Sequence, residues 1–166
     1  MAEYWVSPRA TAAPFEPTVV ALVANTTKTV LQVATPSTID LRILGWGVSF
    51  DGAASATAVI CQLIQTDVAA TVTAFTPETY GNDLQPASLC VGGTAATGYN
   101  ASVEGTITAV RAFDSQHVNP ATGYGVFFGP DSHMPKVPVS RFLRVKCKAP
   151  AAVNVIPWVI WAEPSI

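Results

Sequence analysis

Residues 141–163 read RFLRVKCKAPAAVNVIPWVIWAE, and the alternation of their apolar side chains decides the fold class. Two apolar runs flank a short Pro–Ala–Ala turn, which is the pattern of a β-hairpin. In the first run Leu143, Val145 and Cys147 alternate with Arg144, Lys146 and Lys148. Successive side chains of a strand point to opposite faces, so this run has one buried face and one basic, wet face. The second run is apolar on both. Val153, Val155, Val159 and Trp161 share one side; Ile156, Trp158 and Ile160 share the other. A strand of this kind needs cover on both sides. One cover is the domain's own core. The expectation for the other, in so short a chain, is a second copy, with Ile156, Trp158 and Ile160 as the candidate subunit interface.

Working outward, residues 18–24, 28–34, 58–65, 102–113 and 125–128 carry strand patterns, and residues 67–75 fit either a strand or a helical turn. Residues 39–50 form the longest strand candidate. Its apolar parity switches at Gly45, from Ile39, Leu41 and Ile43 to Trp46, Val48 and Phe50. Such a switch at glycine predicts a bulge, or a corner where the strand passes between sheets. Residues 76–99 and 117–138 read as long loops. No amphipathic run of helical period exceeds two turns. The predicted fold is therefore all-β: an antiparallel β-sandwich of about eight strands, jelly-roll-like, over residues 18–166. Residues 1–17 read as an extended N-terminal arm, because Pro8, Pro14 and Pro17 oppose regular structure. Tyr4, Trp5 and Phe15 are too apolar for a solvated tail, which makes them candidate contacts to a neighbouring molecule.

The 166 residues suit one domain with a core large enough to need no metal or disulfide staple. Charged residues are 12% of the chain, against about 25% in ordinary domains, and 49% are hydrophobic. A surface so poor in charge suits a protein packed into a larger assembly. The net charge of -2 gives no field favouring nucleic acid or an anionic membrane, and neither is an expected partner. No apolar run is long enough to span a bilayer, and no secretory signal pattern opens the chain. Cys61, Cys90 and Cys147 are odd in number and lack CxxC spacing, so they read as free, buried thiols of a protein made in a reducing cytoplasm.

Residues 114–117 (DSQH) and 131–133 (DSH) hold the residue types of a hydrolase triad, but no GxSxG elbow accompanies them, and Asp, Ser and His are ordinary turn residues. Asp114, His117, Asp131 and His133 show no metal-ligand spacing. Gly92–Gly93 precedes neither a lysine nor a helix, so it is no phosphate cradle. The reading is of a non-enzymatic chain without cofactor or metal. The stripe Arg144, Lys146 and Lys148 reads as a solvated strand face, with contact to an acidic protein surface as its functional alternative. Of the four tryptophans, Trp46 and one of Trp158 and Trp161 are expected in the core.

Five blocks carry a resemblance: TIDLRILGWGVSFDG (38–52), LIQTDVAATVTAF (63–75), SVEGTITAVRAFD (102–114), RFLRVKCKAPAAVN (141–154) and IPWVIWAEP (156–164). In this order they resemble small virion proteins encoded among the head genes of tailed phages of actinobacteria. The resemblance implies a β-sandwich capsid decoration, or cement, protein. Such a protein sits on the outer shell as a homotrimer, with the major capsid protein as its partner, and stabilises capsomer contacts. It brings no functional residues with it, because the function lies in surfaces. The alternative is a tail or fibre module that binds host-surface glycan through aromatics on the long loops.

Overall fold

The structure, a computed structural model, describes residues 1–9, 16–53, 56–81 and 84–164. Its elements are β1 (Ala2–Val6), β2 (Val20–Leu22), β3 (Thr27–Ala34), β4 (Leu41–Phe50), β5 (Val59–Thr66), β6 (Thr71–Ala74), β7 (Glu78–Thr79), β8 (Gly98–Val103), β9 (Val110–Val118), β10 (Tyr124–Phe127), β11 (Lys136–Val137), β12 (Phe142–Lys148) and β13 (Val153–Glu163). All pairings between these strands are antiparallel. One sheet runs β10-β4-β13-β1-β7, with β11 beside β4 and β2 beside β13; the other runs β6-β8-β3-β12-β5-β9. The two pack against each other as a β-sandwich, and one cluster of buried residues from both sheets forms its core.

The hairpin that decides the fold class splits between the sheets. Leu143, Val145 and Cys147 of β12 point into the core from the second sheet, all at most 1% exposed. Val155, Val159 and Trp161 of β13 meet them from the first. Cys147 lies opposite Cys61 of β5, their Sγ atoms 3.5 Å apart, and all three cysteines are buried free thiols. The parity switch in β4 is a bulge and not a corner. Opposite β13, Ile43 pairs with Trp161 and Gly45 with Ile160, which leaves Leu44 as the extra residue. That extra residue turns Leu41 and Ile43, then Trp46 and Val48, into the core within one continuous strand. Pro157, which has no N–H to give a ladder, falls between the β2 pairing at Val153–Val155 and the β1 pairing at Val159–Glu163.

Three expectations are corrected. The segment expected to be a free arm supplies β1, an inner strand that pairs with β13 on one side and β7 on the other. Its alternation sends Tyr4 and Val6 into the core at 1% and 0% exposed, a burial that outweighs the prolines downstream. The strand expected over residues 102–113 divides, because residues 104–109 leave the sheet; β9 starts at Val110 and runs on to Val118. The region expected to be a loop over residues 76–99 contains β7 and the start of β8. Thirteen strands thus stand among the described residues where about eight were expected, and most of the additional ones are short.

Candidate interaction surface

The solvent face of the first sheet is built from glycines and large apolar side chains. Across one row of the ladder stand Phe127 of β10, Gly45 of β4, Ile160 of β13, Trp5 of β1 and Glu78 of β7. The next row holds Gly125, Gly47 and Trp158. A third places Ser49 beside Ile156. Gly47 and Gly125 are a seat for the Trp158 indole. A Cβ at Gly47 would lie 2.5 Å from its Cε2 and Nε1, and one at Gly125 would lie 3.1 Å from its Cζ2. Phe127 lies over Gly45 in the same way and packs on Trp158, with ring centroids 5.4 Å apart.

The candidate interface residues therefore share one face but differ in access. Ile156 and Trp158 are half-buried, while Ile160, between Trp5 and the Phe127-covered glycine, is only 4% exposed. Phe127 is 64% exposed. Of the candidate arm contacts, Trp5 joins this face, with the Arg9 guanidinium 5.8 Å from its ring, and Arg9 in turn pairs with Glu78. Tyr4 does not join it: its ring packs on Trp161 inside the core and its hydroxyl donates to the Pro86 carbonyl at 2.8 Å. Phe15 lies outside the described residues. Of the tryptophans, Trp46 and Trp161 are core and Trp158 is not. The glycine seat escapes a search for apolar runs. The available signal is the G-x-G of residues 45–47, whose period-two spacing strips one strand face of side chains.

The basic stripe of β12 is not a solvated face throughout. Arg144 is 0% exposed because residues 104–109 and Val68 cross over it. Its guanidinium donates to the Glu104 carbonyl and carboxylate and to the Val68 carbonyl. The Glu104 carboxylate also takes the Thr29 N–H and hydroxyl and pairs with Lys146 at 3.2 Å. Burial pushes the Glu104 carboxyl up, but the Thr29 bonds and Lys146 together hold it below the usual value. The same crossing is pinned by Asp67, which accepts from the Thr108 hydroxyl and N–H and from the Ala109 N–H. Led by the Thr108 hydroxyl, these bonds bring its pKa from 3.8 to about 2.

Both carboxyls are more acidic folded than unfolded, so their contribution is full above the unfolded values and is lost as pH falls through the folded ones. Thermal melts should therefore move to lower temperature as pH drops from about 4 towards about 2, the window of Asp67. An Asp67→Asn variant should show a flatter profile over that window; an unchanged profile would mean that Asp67 does not hold the crossing in place.

The aspartates of the two triad-like sets bond to groups other than a histidine. Asp114 accepts from Trp46 Nε1, the Tyr124 hydroxyl and Gln116 Nε2, a bridge between the two sheets. Asp131 binds Arg42 at 2.7 Å, and the nearby Ser132–His133 contact of 3.1 Å is between consecutive residues of an exposed turn. Among the described residues no group of three or more His, Cys, Asp or Glu side chains is placed to hold a metal ion. Among them, too, no helix is long and apolar enough to cross a membrane. No known family, no curated protein and no solved structure matches this chain.

Proposed function

We propose that this is a non-enzymatic virion structural protein, a capsid decoration or cement protein that binds the outer shell as a homotrimer and stabilises capsomer contacts. Its partners on this reading are the major capsid protein and two further copies of itself. The observation that carries the assembly part is the solvent face of the first sheet, where Trp5, Phe127, Ile156 and Trp158 leave apolar surface in water. A contiguous patch of this kind marks an interaction site or invites aggregation. Closed cyclic symmetry covers such a patch without open-ended growth. The resemblance to phage head-gene products selects the capsid and the three-fold state.

The test is light scattering on the wild type and on Ile156→Asp, followed by co-sedimentation with assembled shells. Ile156 is the position to change, because the deeper burial of Ile160 would confound association with folding. The wild type should be trimeric at micromolar concentration. The variant should be monomeric with an unchanged melting temperature, and should lose shell binding through loss of avidity. A wild type that stays monomeric both free and on the particle would sink the proposal.

One observation favours a second reading, a tail or fibre module that binds host-surface glycan. The Trp158 indole, laid across Gly47 and Gly125 beside Phe127, forms an aromatic platform of the sort sugar rings stack on. The platform stands on the sheet face and not on the long loops. Binding of soluble glycans by the monomeric Ile156→Asp variant, lost on Trp158→Ala, would move the assignment there.

A further inference from the structure

The second sheet ends on β9, which among the described residues pairs with β5 and with no other strand. Its first residues stand in the open: Val110 is 59% exposed, and Arg111 and Ala112 are exposed beside it. The register against β5 slips at Phe113, which leaves that residue as a bulge. Its ring lies under the Arg111 guanidinium, 5.0 Å from Cζ to centroid. Alongside runs a groove of about 620 Å³ between Arg111–Phe113 and the segment that leads from the turn carrying His133 to Lys136 of β11. A smaller hollow continues it from Arg111 to Arg141.

Cations outnumber carboxylates along this path, where Arg111, Lys136 and Arg141 stand with Asp131 and Asp67. Arg111, Lys136 and Arg141 make no ion pair among the described residues. Of the carboxylates here, Asp131 is paired with Arg42, while Asp67 and Asp40 accept only from neutral N–H and O–H groups and keep their charge. Three unpaired cations thus border a free strand edge in a chain whose net charge is -2.

We infer that this groove binds an extended acidic segment of a partner protein, which adds as a short strand to the free edge of β9 while its carboxylates meet Arg111, Lys136 and Arg141. Strand addition supplies main-chain hydrogen bonds for affinity, and the flanking side chains choose the sequence. The free edge favours a peptide over a nucleic acid, since only a peptide can continue the ladder. The bulge at Phe113 confines the added strand to a short segment and blocks open-ended sheet growth. This site lies on the edge of the second sheet, apart from the apolar face assigned to subunit contact, and does not depend on that assignment.

The probe is a fluorescein-labelled heptapeptide of alternating glutamate and valine, titrated with the purified full chain and read by fluorescence anisotropy. Saturable binding that weakens with salt is expected. The double variant Arg111→Glu, Lys136→Glu should bind at least about tenfold more weakly. Both side chains are exposed, and an unchanged melting temperature would confirm that this variant folds. A heptapeptide N-methylated at alternate amides, with its charges intact, should also lose about tenfold, because it cannot complete the ladder. The inference is overturned if the glutamate peptide fails to bind, if the lysine counterpart binds as well, or if N-methylation changes nothing. Tighter binding of a single-stranded oligonucleotide would likewise overturn it in favour of a nucleic-acid groove.

Discussion

A chain lacking residues 1–9 is expected to lose its cooperative fold. β1 pairs with β13 from Ala2↔Glu163 to Val6↔Val159 and lies between β13 and β7, so its removal strips one side of the last strand and orphans β7. Tyr4 and Val6 leave the core, each worth about 1.5–3 kcal/mol of apolar burial. Trp161 loses its aromatic neighbour, and the Pro86 carbonyl loses the Tyr4 hydroxyl that anchors its loop. The combined loss exceeds about 5 kcal/mol, which is comparable with the whole stability of a typical domain. Circular dichroism and a thermal melt of the truncated chain check it; a native spectrum with a sharp transition would mean that the sheet closes without β1. Two point variants divide the segment. Tyr4→Ala should destabilise by about 3–5 kcal/mol, as large-to-small core changes do. Trp5→Ala, one residue on but facing solvent, should leave the melt nearly unchanged and weaken association instead.

Removing the counter-charge of Arg144 is the second change expected to be severe. The guanidinium is fully buried beneath residues 104–109, and its Nε–H has no partner. Glu104→Leu leaves that cation with carbonyl acceptors only. Breaking a buried pair from one side costs about 3–5 kcal/mol. Because Glu104 is itself 32% exposed, water can partly replace it, and about 3 kcal/mol is the expected loss. The double variant Glu104→Leu, Arg144→Met should recover much of that loss, since an apolar pair of similar volume often equals a buried ion pair. Urea denaturation of the wild type, both single variants and the double variant measures the coupling. A double variant less stable than Glu104→Leu would show that Arg144 matters chiefly as a donor to the Glu104 and Val68 carbonyls.

What could be read from the sequence was the pattern within each strand; what could not was the material laid over it. Leu143, Val145 and Cys147, the parity switch in β4, and the two faces of β13 all follow from period-two alternation, and the structure keeps every one of those orientations. The same alternation placed Arg144 on the outer face correctly. It carried no information on the strap of residues 104–109 that covers this face, because that strap comes from a segment distant in sequence. Residues 102–113 mislead for a related reason: Ile107, Ala109 and Arg111 alternate as in a strand, yet Gly105 at a φ of 71° and the Asp67 bonds to Thr108 and Ala109 hold the segment off the sheet. The N-terminal segment did hold a legible signal, Tyr4 and Val6 at strand spacing, which the prolines behind it obscured. The candidate surface was legible in Ile156, Trp158 and Ile160 as a shared face. Its working shape depends on Gly45, Gly47 and Gly125, whose importance lies in the side chains they lack.

The pairing of β1 with β13 joins segments far apart in sequence, from Ala2↔Glu163 to Val6↔Val159, and this bears on how the protein comes to be made. β1 is made long before β13, and until β13 follows it has only the two-residue β7 to pair with. While residues 51–152 are being made, β1 and β4 both lack the neighbour that will lie between them, so the first sheet is completed only once β13 is released. Topologies dominated by such distant contacts fold slowly, on the scale of about milliseconds to seconds. During that interval Tyr4, Val6, Trp46 and Val48 stand on open edges, where a neighbouring nascent chain could add in place of β13. Crowded synthesis of many copies at once would sharpen that competition, so yield should depend on expression rate and temperature more steeply than the stability of the finished sandwich alone would suggest.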